Sequence, residues 1–206
     1  MDPVRFVTNR SSGKMGYALA KIARRRGAEV IFISGPTSLS LPGRGIQYVT
    51  VRTAEEMRKA VFAHLEGSSV VIMAAAVSDY RPKVISDKKI KKGDSETTLA
   101  LERTKDILEE LGKKKENRIL VGFAAETEDL IAHAKKKLQE KNLDLIVAND
   151  VTQPGAGFGL DTNQVKILSP SGQVKDLPLA TKEEVSRVIL DHVVGLLEAK
   201  EGSRKK

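Results

Sequence analysis

Residues 8–20, TNRSSGKMGYALA, run a polar turn of small residues straight into an apolar helical pattern. Ser11 and Ser12 carry hydroxyls of the kind that cap a helix, and the free N–H groups of a first turn, at the positive end of the helix dipole, attract an anion. Gly13 and Gly16 let a ligand or a neighbouring strand come close. The spacing is neither G-x-x-x-x-G-K-[ST] nor G-x-G-x-x-G, so a phosphate cradle and a plain helix start both stay open. Residues 74–82, AAAVSDYRP, close an apolar run with small side chains and then place Asp79 where a carboxylate can serve a magnesium-bound polyphosphate; a turn-forming Asp is the alternative. In residues 87–92, DKKIKK, Lys89 is a cation on a long polar segment, suited to closing over a reacting phosphate, although any lysine-rich loop has this look. Residues 121–127, VGFAAET, again end in small side chains, with Phe123 available to stack on a base or, as is usual for its type, to sit in the core.

These stretches need elements to hold them. Helical spacing in GYALAKIARRRGAEV places Gly27 where a helix C-terminal glycine belongs, and EVIFIS after it reads as a buried strand. IQYVTV is a second strand, and Thr53 with Glu56 signs a capping box for the helix AEEMRKAVFAHLEG. SVVIMAAA, the most apolar strand, suits the centre of a parallel sheet covered on both faces. Residues 77–95 break the rhythm and are too long for an ordinary connection, which marks a functional flap. The pattern resumes with strand TTLALE, helix KDILEELGKK, strand RILVGFAA, helix EDLIAHAKKKLQEK and strand LDLIVAN. NQVKILSPSGQVKDLPL is an antiparallel hairpin, and Thr181 with Glu184 caps a closing helix whose end, residues 200–206, is expected to fray. This alternation specifies one α/β domain over 1–206: a doubly wound, Rossmann-like, mostly parallel sheet with a small hairpin extension, and a ligand site beyond the carboxyl ends of the strands.

Composition narrows the chemistry. The chain has 206 residues and no cysteine, which excludes disulfides, thiolate nucleophiles and Cys-ligated zinc. His64, His133 and His192 each lie in a helix-like segment without a nearby ligand partner, which leaves them outside any metal or triad role. No apolar run reaches the roughly 20 residues of a membrane span, so a cytoplasmic protein without membrane contact is expected. A net charge of +8 suits any polyanion, but aromatics are only 4% of residues and do not interleave with the basic clusters, which argues against nucleic acid as the partner.

In their order along the chain, DPVRFVTNRSSGKMG, AAAVSDYRP, KIKK, TKDIL, VGFAAET and NLDLIVANDV resemble the bacterial phosphopantothenate–cysteine ligases of coenzyme A biosynthesis, from Asp2 to about Val194. The resemblance implies a Rossmann-like homodimer that activates the carboxylate of 4′-phosphopantothenate with CTP and Mg²⁺ and then joins the acyl-cytidylate to L-cysteine. It places Asn9 at the asparagine that stabilises the acyl-cytidylate, and Lys89 at the flap lysine that helps form it. Arg5, Asn9 and Ala75 match substrate-binding positions. Ser11, Ser12, Gly13, Met73, Ala74, Ala75, Asp79, Lys89, Lys105, Asp106, Ile107, Leu108, Phe123, Lys137 and Lys141 match the nucleotide site, with Asp79 as the cation contact. GFAAET and KIKK look like the CTP-using bacterial branch rather than the ATP-using one. The helical spacing of Lys137 and Lys141 lets both reach one anion.

The sequence departs from that family in two places. Relatives carry a strand and a GGT-type turn ahead of DPVR, interior to the sheet, so the expectation is either a shortened chain or a sheet completed differently. TKDIL has Thr104-Lys105 where many relatives have Asn-Pro, which makes a backbone contact the expectation there. The decarboxylase domain often fused ahead of this one is expected on a separate chain. Two other classes stay in view: a nicotinamide-dependent oxidoreductase, for which neither a dinucleotide fingerprint nor a Tyr-x-x-x-Lys pair outside the first helix is found, and a basic nucleic-acid-binding module.

Overall fold

The computed structural model describes residues 1–91, 98–126, 128–150, 155, 157 and 159–204. Helix α1 (Lys14–Arg25) buries Met15, Tyr17, Leu19 and Ile22 along one stripe. It ends where Gly27, at φ +89°, turns the chain left-handed: the Gly27 N–H donates to Arg24 O at 3.0 Å and the Ala28 N–H to Ala23 O at 3.1 Å. These two bonds satisfy carbonyls the helix would otherwise leave open, as the sequence indicates. Strand β1 (Val30–Ser34) pairs in parallel with β2 (Ile46–Thr50), and residues 35–45 between them form no helix. Helix α2 (Ala54–Ala63) starts at Thr53, whose Oγ1 accepts the Glu56 N–H at 3.1 Å; the Glu56 carboxylate reaches back one residue further than in a closed box, to the Arg52 N–H at 2.8 Å.

The main sheet has five strands in the order β3 (Val70–Met73), β6 (Ile119–Glu126), β7 (Leu145–Asp150), β8 (Thr162–Leu168) and β9 (Val174–Thr181). The first three run parallel, and β8 and β9 add the expected antiparallel hairpin. Helices α1 and α5 (Lys182–Arg204) cover the face that receives Ile119, Val121, Leu145 and Val147. Helices α2, α3 (Ile107–Lys113) and α4 (Leu130–Glu140) cover the other, with Leu120, Ile146 and Ala148. Alternation along β6 and β7 thus feeds two apolar layers, the doubly wound plan read from the sequence. Each fully buried Leu, Ile or Val there contributes about 1.5–3 kcal/mol.

Three expectations need correction. Strand β3 is not central: among the described residues it pairs only with β6, and β1 likewise only with β2, so the apolar VVIM run is half-buried at an edge. The described residues of TTLALE, 98–102, do not rejoin the main sheet. Their last two, with Arg103, form β5 (Leu101–Arg103), which pairs antiparallel with β4 (Tyr80–Pro82) inside the expected flap and leaves Leu101 and Tyr80 exposed. Nor does the tail fray through 204. The Lys200 ammonium donates to Arg118 O at 2.9 Å and pairs with Asp144 at 3.4 Å, pinning the last turns of α5 to the start of β6; residues 205–206 lie outside the described residues. No described helix is long and apolar enough to cross a membrane.

Candidate functional site

Because β3, β6 and β7 are parallel, their carboxyl ends share one rim. Asn9 meets that rim: its Nδ2 donates to Ala76 O at 3.3 Å and Val77 O at 3.2 Å, in the loop leaving β3. The structure thereby brings Asn9 beside Ala75, both exposed, although 66 positions separate them in the sequence. Met73 and Ala74 diverge, the former packing on the α2 face and the latter on the α1 face.

The start of α1 keeps one of the two serines read as caps, with Ser12 Oγ accepting the Lys14 N–H at 3.5 Å. The N-cap residue is Gly13, at φ +75°, which makes no side-chain cap bond of its own. Thr37, from the loop after β1, braces this turn: its Oγ1 donates to Ser12 O at 3.1 Å, while Ser11 stays exposed. Beyond Lys14, the first-turn N–H groups of α1 have the affinity of any helix start for an anion. Gly16 serves packing, since an added Cβ would meet Phe32 Cε2 at 3.3 Å, and Tyr17 packs edge-on to that ring at 4.9 Å.

Asp79 stands exposed at the root of the β4–β5 ribbon, which Thr104 fastens: its N–H donates to Asp79 O at 2.9 Å and its Oγ1 to Ser78 O at 2.7 Å. Among the described residues no three His, Asp or Glu side chains converge on a metal site. One exposed carboxylate still fits Mg²⁺ brought in by a triphosphate, because Mg²⁺ is held by one or two carboxylates plus phosphate oxygens and water. Lys89 is exposed on the segment beyond the ribbon.

Two residues assigned to ligands are occupied within the fold. The Arg5 guanidinium donates to the Asp2 carboxylate from Nε at 3.0 Å and Nη2 at 2.6 Å, and Nη2 also donates to Ile90 O at 2.8 Å. Arg5 therefore ties the N-terminal segment to the flap, with about half of its side chain still exposed. Lys141 pairs with Asp106 at 2.7 Å, and Asp106 in turn caps α3 by accepting the Glu109 N–H at 3.0 Å. Burial alone would raise the Asp106 carboxyl; the Lys141 ammonium and the Glu109 and Leu108 N–H groups outweigh it and hold the carboxyl below its ordinary range. Ile107 is buried at 3% exposure, so a ligand can reach only its backbone, whereas Lys105 is exposed. Leu108 lies over Gly122, where an added Cβ would meet its Cδ2 at 2.9 Å. Phe123 is half-buried against the α1 face, and Lys137 is half-buried one turn before Lys141 on α4.

A lysine network near the rim escaped the sequence reading. Lys182, 7% exposed, donates to Leu160 O, to Thr162 O at 3.1 Å and to Gly157 O at 3.4 Å. Burial, with Lys14 nearby, pushes its ammonium pKa down, partly offset by Asp161. Lys14 donates to Gly159 O and Asp161, each at 2.7 Å, tying the same loop to α1. The glycine-rich stretch 155–159 was the only available signal, and glycines alone do not say which cation will hold their carbonyls.

With this geometry in view, comparison with known proteins is specific. The family model described as DNA/pantothenate metabolism flavoprotein C-terminal domain matches residues 1–197. The coenzyme A biosynthesis bifunctional protein CoaBC of Bacillus subtilis is 54% identical over 196 residues, covering 95% of this chain and 48% of that protein. A cysteine/cysteine sulfinic acid decarboxylase from an unknown prokaryotic organism is 46% identical over 198 residues, 96% of this chain and 55% of that one. The chain thus spans about half the length of these relatives. A crystal structure of the C-terminal domain of CoaBC superposes with a TM-score of 0.82 at 46% identity, over 96% of this chain and 89% of that one. The Streptococcus pneumoniae DNA/pantothenate metabolism flavoprotein superposes with a TM-score of 0.81 at 25% identity, over 95% and 93%. A family model covering nearly the whole chain, together with relatives of this identity, shows that the chain belongs to the DNA/pantothenate metabolism flavoprotein C-terminal domain family.

Proposed function

We propose that this chain is a CTP-dependent ligase of coenzyme A biosynthesis that joins 4′-phosphopantothenate to L-cysteine. The observation that carries the reading is the meeting of Asn9 with the Ala76 and Val77 carbonyls, next to Ala75, at the shared rim of β3 and β6. The CoaBC name of the 54% identical relative supports the pathway.

In the first step a carboxylate oxygen of phosphopantothenate attacks the α-phosphorus of CTP and the bond to the pyrophosphate oxygen breaks. Asp79 would hold the Mg²⁺ that accompanies the triphosphate, and that ion would supply charge neutralisation there. The α1 N-terminus receives phosphate oxygens, and Lys89 meets the charge that develops on the leaving pyrophosphate. Phe123, Met73, Ala74 and the exposed Lys105 border the nucleotide, while Ile107 and Leu108 support it through the α3 backbone. In the second step the cysteine amine attacks the acyl carbon, the C–O bond to CMP breaks and the amine loses a proton. An amide at Asn9 suits this step because it donates to the oxyanion without titrating. No enzyme nucleophile is needed, which agrees with a chain that lacks cysteine.

The test is pyrophosphate release on mixing the protein with CTP, Mg²⁺, phosphopantothenate and cysteine. Release that requires both CTP and phosphopantothenate supports the ligase. Reduction of a nicotinamide cofactor, or salt-steep nucleic-acid binding without pyrophosphate, would support the other classes. A second reading follows from the decarboxylase name of the 46% identical relative. It requires CO₂ from cysteine without CTP; under the ligase reading, decarboxylation of the product belongs to a separate chain or domain.

The ligase is further proposed to be a homodimer. Phe6 and Val84, each 76% exposed, with Ile85 at 67% and Val4 at 60%, lie on the N-terminal segment and on the flap that Arg5 fastens to it. Large apolar side chains grouped in this way mark an interaction surface. Phe6→Glu is expected to convert a dimer to a monomer at micromolar concentration, read by light scattering on a sizing column, and to remove the concentration dependence of the thermal midpoint.

A further inference from the structure

We propose that Asp2 is a positioning residue that holds the Lys89 flap for the nucleotide, acting through the backbone of Ile90. The proposal rests on the ligase reading above. The Asp2 side chain has 0% solvent exposure. Its Oδ1 accepts the Val4 N–H at 2.9 Å and the Arg5 N–H at 2.8 Å. Its Oδ2 accepts the Arg5 guanidinium and, at 3.0 Å, the Ile90 N–H from 88 positions away. Arg5 completes the clasp by donating to Ile90 O at 2.8 Å. One Asp–Arg pair thus takes both backbone groups of a single flap residue. A further tie runs from the Ser86 N–H to Met1 O at 3.0 Å.

The clasp is stiff for an electrostatic reason. The Arg5 guanidinium first, and then the Ile90 N–H, favour the charged form of the Asp2 carboxyl and hold it far below its ordinary range. An ionised carboxylate out of reach of water is tolerated only while charged and N–H partners surround it. If the flap lifts at Ile90, one of those partners is lost. At its other end the same segment leaves the β4–β5 ribbon, where the Lys83 N–H donates to Ala100 O at 3.0 Å. Residues 83–90 are therefore fastened at both ends. Lys89 adjoins the fastened Ile90 yet keeps its side chain exposed, so its backbone is placed before any ligand arrives and less entropy is lost when the ammonium meets the triphosphate.

The test compares wild type with Asp2→Asn in three measurements: thermal midpoint, the rate of tryptic cleavage after Lys88 and Lys89, and the two half-reactions assayed separately. The half-reactions are pyrophosphate release without cysteine, and aminolysis of a synthetic phosphopantothenoyl cytidylate. Tryptic cleavage in the flap is expected to quicken about fivefold or more, and pyrophosphate release to slow about tenfold, with aminolysis changed less than about twofold. A purely structural role would depress both half-reactions together, and that result would overturn the assignment, as would unchanged tryptic cleavage. Should Asp2→Asn fail to fold, Arg5→Lys keeps the charge but cannot fork to both Asp2 and Ile90, and it must show the same pattern; wild-type behaviour in Arg5→Lys also overturns the proposal. If wild-type protein itself releases no pyrophosphate, the ligase reading falls and takes the positioning role with it, while the tryptic comparison still decides whether the clasp exists.

Discussion

Lys89→Gln is expected to slow pyrophosphate release from CTP by about a hundredfold, equivalent to ~2.7 kcal/mol of transition-state stabilisation, while the thermal midpoint stays within about 1 °C. The size follows from what the ammonium is asked to do. Charge accumulates on the pyrophosphate oxygens as the α-phosphorus bond breaks, and a cation placed beforehand stabilises that change without reorganising. Glutamine keeps the length and a donor but removes the charge. The midpoint holds because Lys89 is exposed and no carboxylate among the described residues pairs with it. Lys14, Lys21 and Lys141, by contrast, each lie within 2.5–2.7 Å of a carboxylate oxygen, so their substitution mixes stability with function. Wild-type pyrophosphate release in Lys89→Gln, at saturating substrates, would remove the residue from the chemistry.

Gly112→Ala should lower the thermal midpoint by about 6–12 °C, corresponding to roughly 3 kcal/mol in a chain of this size. Helix propensity alone gives the opposite sign, since Ala in a helix interior is favoured over Gly by about 1 kcal/mol. Packing decides. A Cβ at residue 112 would sit 2.1 Å from the Lys141 carbonyl oxygen and 2.8 Å from its carbon, backbone atoms that cannot swing aside as a side-chain end does. The Asn142 side chain also donates to Gly112 O at 3.1 Å, so the end of α4 is held against α3 from both directions. Displacing it would pull Lys141 from Asp106 and loosen the start of α3. CTP binding by Gly112→Ala is therefore expected to weaken along with the midpoint, as calorimetry would show. A midpoint at or above wild type would mean that the two helices part without cost.

These two residues mark how far the chain could be read without coordinates. The exposed position of Lys89 was legible because its surroundings are local: a polar segment too long for a connection, rich in lysine, between two strands. The same holds for Gly27, Thr53 and Thr181, whose partners lie within four residues. Gly112 was not legible, because the atom that forbids a side chain there belongs to residue 141. The roles of Asp2 and Arg5 were hidden for the same reason, as their partner is Ile90. Strand order failed at β3, where apolarity indicates burial but does not say how many neighbours a strand has. The pairing of β5 with β4 was also out of reach, since three-residue strands carry too little alternation to declare a partner.

The central claim is that the carboxylate of phosphopantothenate attacks the α-phosphorus of CTP at the rim of β3 and β6. Phosphopantothenate labelled with ¹⁸O in its carboxylate, incubated with CTP, Mg²⁺ and cysteine, tests it most directly when the nucleotide product is analysed by mass spectrometry. The account predicts one labelled oxygen in CMP and none in pyrophosphate, because the acyl C–O bond, not the P–O bond to that oxygen, breaks when the amine attacks. Label in inorganic phosphate or pyrophosphate, or amide formed with unlabelled CMP, would contradict it.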